Sequence, residues 1–314
     1  MVWGYFNSYP TGAIDAWVKL VNVEGLAILS TVLWLFMPVI LDGVERKLKA
    51  ALQSRIGPPV VQTLYDLLKL ASKEYKPLHA GTYVLVSLVA CMVSSAVSLY
   101  YVFTYLASNN LTYLFYSAAM FAVSASVHIS IPLLVANPFS QMGAWRGVVL
   151  SLVNEAFFLL SIAILANSVS GSSLVPAPPW RAVVVASALL LLLLSSYVTT
   201  ERTPFDIAEA EPELASGVLV EFSGPLLAAN IYSLLLKRAV AKALAVAVIV
   251  AAISSGVATV LLAHALMVLM WVVFAAISVV LGRTRVDVGP LSLAKAYIAL
   301  MALIITALLV GARA

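Results

Sequence analysis

Residues 257–281 read VATVLLAHALMVLMWVVFAAISVVL and contain no Asp, Glu, Lys or Arg. Roughly 20 apolar residues in a helix cross the hydrocarbon core of a bilayer, so this stretch is long enough to span a membrane. Seven other apolar runs of comparable length are bounded by charged residues or by Gly, Pro or Asn. The sequence therefore predicts an all-α, polytopic membrane protein that forms a single transmembrane domain. The eight expected spans within residues 1–314 are 22–42, 81–105, 111–135, 147–168, 181–199, 225–252, 257–281 and 291–311.

The composition supports a membrane protein and argues against other classes. Of the 314 residues, 63% are hydrophobic and 10% are charged, whereas charged residues make up about a quarter of an ordinary globular domain. The net charge is only +4, and the basic residues cluster beside an apolar span, so nothing indicates a nucleic-acid partner. The first span begins well inside the chain and has its positive charges after it, unlike a cleaved signal peptide.

Cysteine and histidine are too sparse for a metal or cofactor site built by this chain alone. Cys91 is the only cysteine, which excludes disulfide frameworks and iron–sulfur ligation by this chain. The three histidines, His79, His128 and His264, are far apart in sequence and form no local haem or zinc motif. We therefore expect no cofactor or metal on this chain, and any electrons would travel on another subunit.

Lysine and arginine fall mainly on one side of the predicted spans. The connection after the first span carries seven of them, and later connections on the same side add four arginines. The opposite side carries only Lys19, Arg181 and Arg313. The positive-inside rule therefore predicts a protein of the cell membrane with both termini outside and the charged connections in the cytoplasm.

The cytoplasmic connection 45–80 is expected to contain a different kind of helix. Residues 58–74 read PPVVQTLYDLLKLASKE, and their apolar and polar residues separate onto two faces at helical spacing. This pattern predicts an amphipathic helix that lies along the membrane surface. A solvated helix in a cytoplasmic loop is the alternative.

The sixth span is the least regular of the eight. Lys237, Arg238 and Lys242 interrupt its apolar run, so two shorter helices are possible there. Cations inside a span prefer a partner or a water-filled cavity, and the acidic residues of the preceding connection are their natural counter-charges. Snorkelling of these side chains to an interface is the alternative.

Acidic residues crowd into the cytoplasmic connection 200–224. Residues 201–224 read ERTPFDIAEAEPELASGVLVEFSG and carry six of the fourteen acidic residues of the chain. The acids alternate with apolar residues, so we expect this segment to pack against protein or membrane. A single helix would place most of the acids on one face, whereas Pro212 would divide that face if it began a new helix. The acids expected to carry ions here are Asp206, Glu209, Glu211, Glu213 and Glu221.

Two further carboxylates lie at or inside apolar spans. Glu155 is in the fourth span, where an ionised carboxylate costs about 3 kcal/mol unless it is partnered, hydrated or protonated. Glu45 lies at the end of the first span. Structural explanations remain open, because Asn154 or Arg146 could clamp Glu155, and an ion pair with neighbouring cations could explain Glu45.

Crowded carboxylates are suited to proton transfer. Like charges that lie close together cannot all be ionised, so we expect the cluster to hold protons with raised, mutually dependent pKa values. We therefore predict an ion-translocation path through Glu45, Glu155 and five acids of the connection 200–224, namely Asp206, Glu209, Glu211, Glu213 and Glu221. The supporting charges would be Arg46, Arg146, Arg202, Lys237, Arg238 and Lys242.

Several short motifs occur in the order and spacing of one known family. They are Glu45-Arg46-Lys47-Leu48 with Arg55-Ile56-Gly57-Pro58, Gly143-Ala144-Trp145-Arg146 ahead of Glu155, and Pro204-Phe205-Asp206 with the acids that lead to Glu221-Phe222-Ser223-Gly224. Through these motifs the chain resembles the subunit 1 family of respiratory complex I and its relatives in membrane-bound hydrogenases. The likeness covers about residues 22–311.

The resemblance implies both an architecture and a role. Members of this family have eight transmembrane helices and a surface helix, and they anchor a hydrophilic redox arm. Their buried carboxylates line a polar path from the chamber beneath the last iron–sulfur cluster toward antiporter-like subunits. The matching positions here are Glu45, Arg146, Glu155, Asp206, Glu209, Glu211, Glu213 and Glu221.

One segment departs from the quinone-reducing members of the family. They usually follow the Gly-Pro with Asn-Arg-Val-Gly, whereas residues 57–69 here read GPPVVQTLYDLLK. That pattern is more similar to the energy-converting hydrogenase branch, including the archaeal membrane-bound hydrogenase and related sulfur-reducing complexes. The resemblance therefore favours that branch and puts a quinone pocket in doubt.

Four functions follow as expectations. The first is a non-redox connector subunit that conducts H⁺ or Na⁺ in a ferredoxin-dependent hydrogenase or sulfur reductase. Its partners would be the lipid bilayer, antiporter-like subunits, and cytoplasmic iron–sulfur and large-subunit modules with or without a NiFe site.

The second function is the quinone-site subunit of a quinone oxidoreductase, with Phe205, Arg46 and the surface helix lining a tunnel. The third is an autonomous secondary transporter, although the paired broken-helix halves of many transporters are missing. A purely structural anchor is the fourth, and it leaves the crowded acids unexplained.

Overall fold

A computed structural model describes residues 11–75, 81–169, 179–208, 217–253 and 257–311, with side chains described from residue 23 onward. Within these residues the chain forms nine α-helices, two short 3-10 helices and no strand. The all-α prediction is therefore confirmed. The α-helices are α1 (Thr11–Leu52), α2 (Gln62–Ala71), α3 (Gly81–Ser108), α4 (Leu111–Ser130), α5 (Pro138–Val169), α6 (Trp180–Thr199), α7 (Gly224–Ala251), α8 (Val257–Val280) and α9 (Val288–Gly311).

The long helices match the predicted membrane spans. In the described part of the chain, α1, α3, α4, α5, α6, α8 and α9 are long and apolar enough to cross a membrane. The eighth predicted span is α7, which is one continuous helix of 28 residues and not two short ones. It is not among the seven candidate spans, because Lys237, Arg238 and Lys242 lie close together in the middle of it. The polytopic membrane fold is confirmed.

The irregular composition of α7 is explained by its central position. It packs against α1, α2, α3, α4, α5, α6 and α8, and most of its residues are buried. A helix that faces lipid must be apolar on that side, whereas a helix surrounded by protein can hold cations that find partners. Lys237 and Lys242 are both fully buried in this position.

One end of the bundle, which we call the basic end, gathers most of the charged residues. Here α1, α4, α6 and α8 end, and α3, α5, α7 and α9 begin. The connections at this end are tied together, because Thr284 donates its N–H and its Oγ1 hydroxyl to the carbonyl oxygen of Pro204 at 3.2 and 2.7 Å. The orientation of the basic end toward the cytoplasm stays a prediction.

The helix α2 lies at the basic end beside α1 and α7. It is shorter than the predicted range 58–74, because the Pro58-Pro59 pair favours extended backbone before the helix begins. Three of its larger side chains, Leu64, Tyr65 and Leu68, are exposed. An apolar face without protein cover in the described structure is typical of a helix at a membrane surface.

The contact between α1 and α2 depends on polar pairs and on one glycine. Thr63 donates its hydroxyl to Asp42 at 2.8 Å. Arg46 forms ion pairs with Asp42 at 3.2 Å and with Asp66 at 2.8 Å. A Cβ atom at Gly43 would overlap the carbonyl oxygen of Val60, so only glycine allows this close approach. The ion pairs of Arg46 with Asp42 and Asp66 therefore help to fix α2 on α1.

The tightest helix pair, α3 and α4, is joined by small polar residues. Ser98 donates its hydroxyl to the carbonyl oxygen of Ser117 at 2.8 Å, and Ser117 donates to the carbonyl oxygen of Ser98 at 2.9 Å. Small side chains let two membrane helices approach closely, and hydrogen bonds of this kind join them.

Candidate functional site

The first charge centre of the site surrounds Glu45, which is 4% exposed near the end of α1. The Arg202 guanidinium pairs with Glu45 Oε2, and Lys49 Nζ lies 2.8 Å from Oε1. Trp271 also donates its Nε1–H to Oε2 at 2.9 Å. The described partners of Glu45 are thus Lys49, Arg202 and Trp271 and not the adjacent Arg46, which pairs with α2 residues.

Trp271 is the least expected member of this centre. Lys242 Nζ lies 3.9 Å and Arg202 Cζ lies 5.2 Å from the centroid of its ring. Lys242 also donates to the carbonyl oxygen of Arg238 at 3.1 Å. An aromatic face attracts a cation, most strongly when water is excluded. Trp271 therefore stabilises the buried Arg202 guanidinium and packs against Lys242 Nζ while it donates a hydrogen bond to Glu45.

The second charge centre is an ion pair between Glu201, just after α6, and Lys237 on α7. Their Oε1 and Nζ atoms are 2.6 Å apart. Arg238 donates its Nε–H to the carbonyl oxygen of Thr200 at 2.7 Å, which fixes the connection next to this pair. Glu201 is not among the acids predicted to carry ions. Its position at the end of a span, opposite the cations of the sixth span, is the signal that could have identified it.

Lys237 decides the charge state of Glu201. Burial raises the pKa of the Glu201 carboxyl, but the charge and hydrogen bond of Lys237 and the proximity of His128 lower that pKa to about 2. The direction is opposite to the raised pKa values expected for the acidic cluster. That expectation was wrong for Glu201 because Lys237, with the nearby His128 and Arg238, lowers the pKa by more than burial raises it. Glu201 is therefore an ionised counter-charge near neutral pH.

A cavity lined by both polar and apolar residues, which we call the polar cavity for its titratable groups, opens beside the Glu201–Lys237 pair. It offers about 60 Å³ to the centres of water molecules. About 15 Å³ of such space is enough for one buried water, so the cavity has room for several. Water in this position would connect polar groups on four helices and one connection. The polar lining residues include His128, Ser151, Asn154, Thr199, Glu201, Asp206, Asn230 and Lys237.

Glu155 lies on α5, one turn from the cavity-lining Ser151. Its buried Oε1 has no hydrogen-bond partner among the residues that the structure describes. The carboxyl interacts electrostatically with both Lys237 and Glu201. A buried carboxylate oxygen without a partner is costly while the group is ionised, so this acid is suited to taking up a proton.

Asn154 does not clamp Glu155. It donates its Nδ2–H to Thr199 Oγ1 at 2.8 Å and accepts a hydrogen bond from the Tyr297 hydroxyl at 2.6 Å. This network joins α5, α6 and α9. Arg146, the other clamp considered from the sequence, is half-buried two turns earlier on α5.

The structure separates the acids of the connection 200–224. Arg283 Nη2 lies 2.7 Å from Asp206 Oδ2, and Asn137 donates its Nδ2–H to Glu221 Oε1 at 2.5 Å. Asp206 and Glu221 both have non-helical backbone, so the single continuous helix considered for these acids is wrong at both ends. The remaining predicted acids, Glu209, Glu211 and Glu213, lie outside the described residues.

The acidic connection lies directly against α5. A Cβ atom at Gly143 would come within 2.6 Å of the carbonyl oxygen of Ala208 and within 3.1 Å of the Val218 amide nitrogen. Gly143 begins the Gly-Ala-Trp-Arg motif, so the motif has a steric reason for its glycine. The glycine lets both described ends of the acidic connection approach α5.

The residues considered for a quinone tunnel do not meet in a described cavity. Phe205 lines the polar cavity and also an apolar groove on the outside of the bundle. Arg46 lines neither of them and is held by α1 and α2. In the described residues, no group of three or more His, Cys, Asp or Glu side chains is placed to hold a metal ion.

Comparisons with known proteins agree with this architecture. A family model described as NADH dehydrogenase matches residues 25–310. Hydrogenase-4 component C of Escherichia coli (strain K12) is 29% identical over 235 residues, which cover 70% of this chain and 73% of that protein. A chain in the solved structure of the membrane-bound sulfane sulfur reductase, an archaeal respiratory membrane complex, is 18% identical and has a TM-score of 0.69. That match covers 91% of this chain and 99% of the other chain, so the two share a fold.

Proposed function

Because this chain belongs to the NADH dehydrogenase family, of the complex I subunit 1 type, we propose that it couples electron transfer in partner subunits to ion translocation. The chain is a membrane subunit of a complex-I-like complex. In the proposal it carries no redox group of its own. It connects a hydrophilic iron–sulfur and large-subunit module at the basic end with antiporter-like membrane subunits, and the translocated ion is H⁺ or Na⁺.

One observation carries the proposal for the chemistry of this chain. The carboxyl of Glu155 is buried with an unpartnered oxygen, and it interacts with an ion pair that borders a polar cavity. A structural carboxylate would be expected to have its hydrogen bonds satisfied. An acid that exchanges protons needs instead a nearby source of water and a charge that can change its affinity for the proton.

Lys237 supplies that changeable charge. It interacts with both Glu201 and Glu155, and in this state it is hydrogen-bonded to Glu201. A charge change at the basic end can weaken the ion pair between Glu201 and Lys237. The positive charge of Lys237 then acts more strongly on the carboxyl of Glu155. The proton affinity of Glu155 then falls, because a nearby cation favours the ionised carboxylate. Electron transfer in the partner subunits would supply the charge change.

The test uses the complete complex in liposomes, with electron transfer and ion uptake measured together. We expect Glu155→Gln to keep the complex assembled and electron transfer active while ion uptake falls strongly. Glu213→Gln, in the acidic connection, is expected to act in the same direction. Glu24→Gln is the matched control, because Glu24 is an exposed carboxylate on α1. Full ion uptake in both single variants, Glu155→Gln and Glu213→Gln, would contradict the proposal.

The identity of the redox partners is tested separately. The names of the similar proteins, a hydrogenase component and a sulfur reductase complex, favour a hydrogenase or a sulfur reductase. Ferredoxin as the electron donor is part of the proposal. Purification of this chain in mild detergent, with mass spectrometry and metal analysis of what accompanies it, decides between them. Nickel in a large subunit indicates a hydrogenase, and its absence from an iron–sulfur assembly indicates sulfur reduction. A chain that purifies alone and transports a solute would contradict the connector role.

A further inference from the structure

An apolar groove runs along the outside of the bundle between α6, α7, α8 and α9. It offers about 810 Å³ to the centres of water-sized molecules, against about 60 Å³ for the polar cavity. Its walls are almost wholly apolar and belong mostly to helices long enough to span a membrane, so an occupant of the groove must itself be apolar. Among the lining residues are Leu190, Leu193, Leu269, Val273 and Ile277.

The groove follows one face of α8 for most of the length of that helix. Its lining residues on this helix recur every three or four positions from Leu266 to Leu281. A rise of 1.5 Å per residue makes this face about 22 Å long. Half of a hydrocarbon core is about 15 Å, so the groove can hold a complete lipid chain of one leaflet.

The groove ends among arginines at the basic end. Leu281 lines the groove, and Arg283 and Arg285 follow it directly in the connection to α9. This connection is held against the groove wall by the hydrogen bonds from Thr284 to Pro204. Arg285 has an 80% exposed side chain and pairs with the exposed Asp287 at 3.0 Å. Arg285 thus follows the last lining residue of the groove by four positions, in a connection that is tied to the groove wall.

From the apolar walls, the length of the groove and the arginine at its end, we infer that the groove binds one phospholipid of the surrounding bilayer. A hydrocarbon chain lies along α8 between α6 and α9, and the phosphate lies beside Arg285. Guanidinium groups match phosphate geometry, and anionic headgroups are attracted to arginine near a membrane surface. The site is independent of the proposed ion path in its chemistry.

Phe205 gives this lipid a structural consequence. Its side chain lines the groove on one side and the polar cavity on the other. A hydrocarbon chain in the groove covers the membrane side of Phe205. The lipid therefore completes the wall that separates the water of the cavity from the lipid-facing surface.

The experiment uses the intact complex reconstituted with phospholipids that carry a photoreactive diazirine in one chain. We expect mass spectrometry to find lipid cross-links at Leu193. Val273→Trp places a larger side chain in the groove and should remove most of that cross-linking. Leu29→Trp is the matched control, because Leu29 is a 70% exposed residue on α1 outside the groove, and it should leave the cross-links unchanged.

The headgroup is tested with variants that need not disturb packing, since Arg285 and Asp287 are exposed. Arg285→Gln should lower the preference for phosphatidylglycerol over phosphatidylcholine about five-fold, the effect of one cation near an anionic surface. Asp287→Asn removes the competing carboxylate and should raise the preference. Three results would each overturn the inference. They are cross-links from Leu193 to a protein helix of the complex, a stoichiometric quinone in place of phospholipid, and the same lipid preference in the native protein, Arg285→Gln and Asp287→Asn.

Discussion

Glu201 and Arg202 are adjacent in the chain, but their side chains belong to different charge centres. Glu201 pairs with Lys237 on α7, whereas Arg202 pairs with Glu45 on α1. Glu201 has a φ of 51°, in the left-handed region that favours glycine. Non-glycine residues in this region store strain and occur often at functional sites. A shift of this two-residue segment would change both ion pairs at once, so it couples the two centres.

Loss of the Glu201 carboxylate should destabilise the protein through Lys237. Glu201→Gln leaves Lys237, which is 1% exposed, without its charged partner. Breaking a buried pair by removing one partner costs about 3 kcal/mol. We expect a clearly lower unfolding temperature for Glu201→Gln in the purified complex. The double variant Glu201→Gln with Lys237→Gln should recover most of the loss, and a double variant less stable than Glu201→Gln would contradict this explanation.

The pH dependence of the Glu201–Lys237 pair follows from the lowered pKa of Glu201. Its ordinary value is 4.5 and its value in the folded protein is about 2. The carboxylate therefore binds fewer protons in the folded state, and its stabilising effect is complete above pH 4.5 and lost as the pH falls toward 2. The difference in unfolding temperature between the native protein and Glu201→Gln should be constant from pH 8 to pH 5. It should shrink below pH 4.5, and a change between pH 8 and pH 6 would show that another group is responsible.

Trp271 should contribute both a hydrogen bond and a ring face to the Glu45 centre. Trp271→Phe removes the Nε1–H that binds Glu45 and keeps an aromatic face for Lys242. A hydrogen bond to a charged group contributes about 2 kcal/mol to stability, so we expect the free energy of unfolding to fall by that amount. Trp271→Ala should lose more, because it also removes the ring and leaves a cavity. Equal losses in the two variants would mean that the ring face contributes nothing.

Gly43 should be intolerant of any side chain. Gly43→Ala introduces a Cβ that overlaps the Val60 carbonyl oxygen, and backbone must move to relieve the overlap. We expect the segment before α2 to separate from α1 and to become sensitive to limited proteolysis. Gly25→Ala is the matched control on the same helix, since a Cβ there meets nothing within 4 Å. Equal proteolysis of the two variants would argue against the steric explanation.

The candidate site was only partly visible in the sequence. The cost of placing charge in an apolar span pointed to Glu155 and Glu45. The crowding of acids pointed to Asp206, which lines the polar cavity, and to Glu221, which does not. Glu201, Trp271 and Tyr297 were not identified. Each of them acquires its role from a residue on another helix: Lys237, Glu45 and Asn154, respectively. For Trp271 and Tyr297, position in the chain gives no information on such partners.

The sequence by itself determined the membrane spans, the helical fold class and the family. These properties depend on local composition, because a helix crosses the bilayer only if about 20 consecutive residues are mostly apolar. Only the tertiary structure decided that α7 is one central helix and that its lysines are buried. It also decided which acids are neutralised by cations and which, like Glu155, retain an unpartnered oxygen. The physical reason is that the energy of a buried charge depends on its distance to other charges and to water, and those distances exist only once the helices have packed.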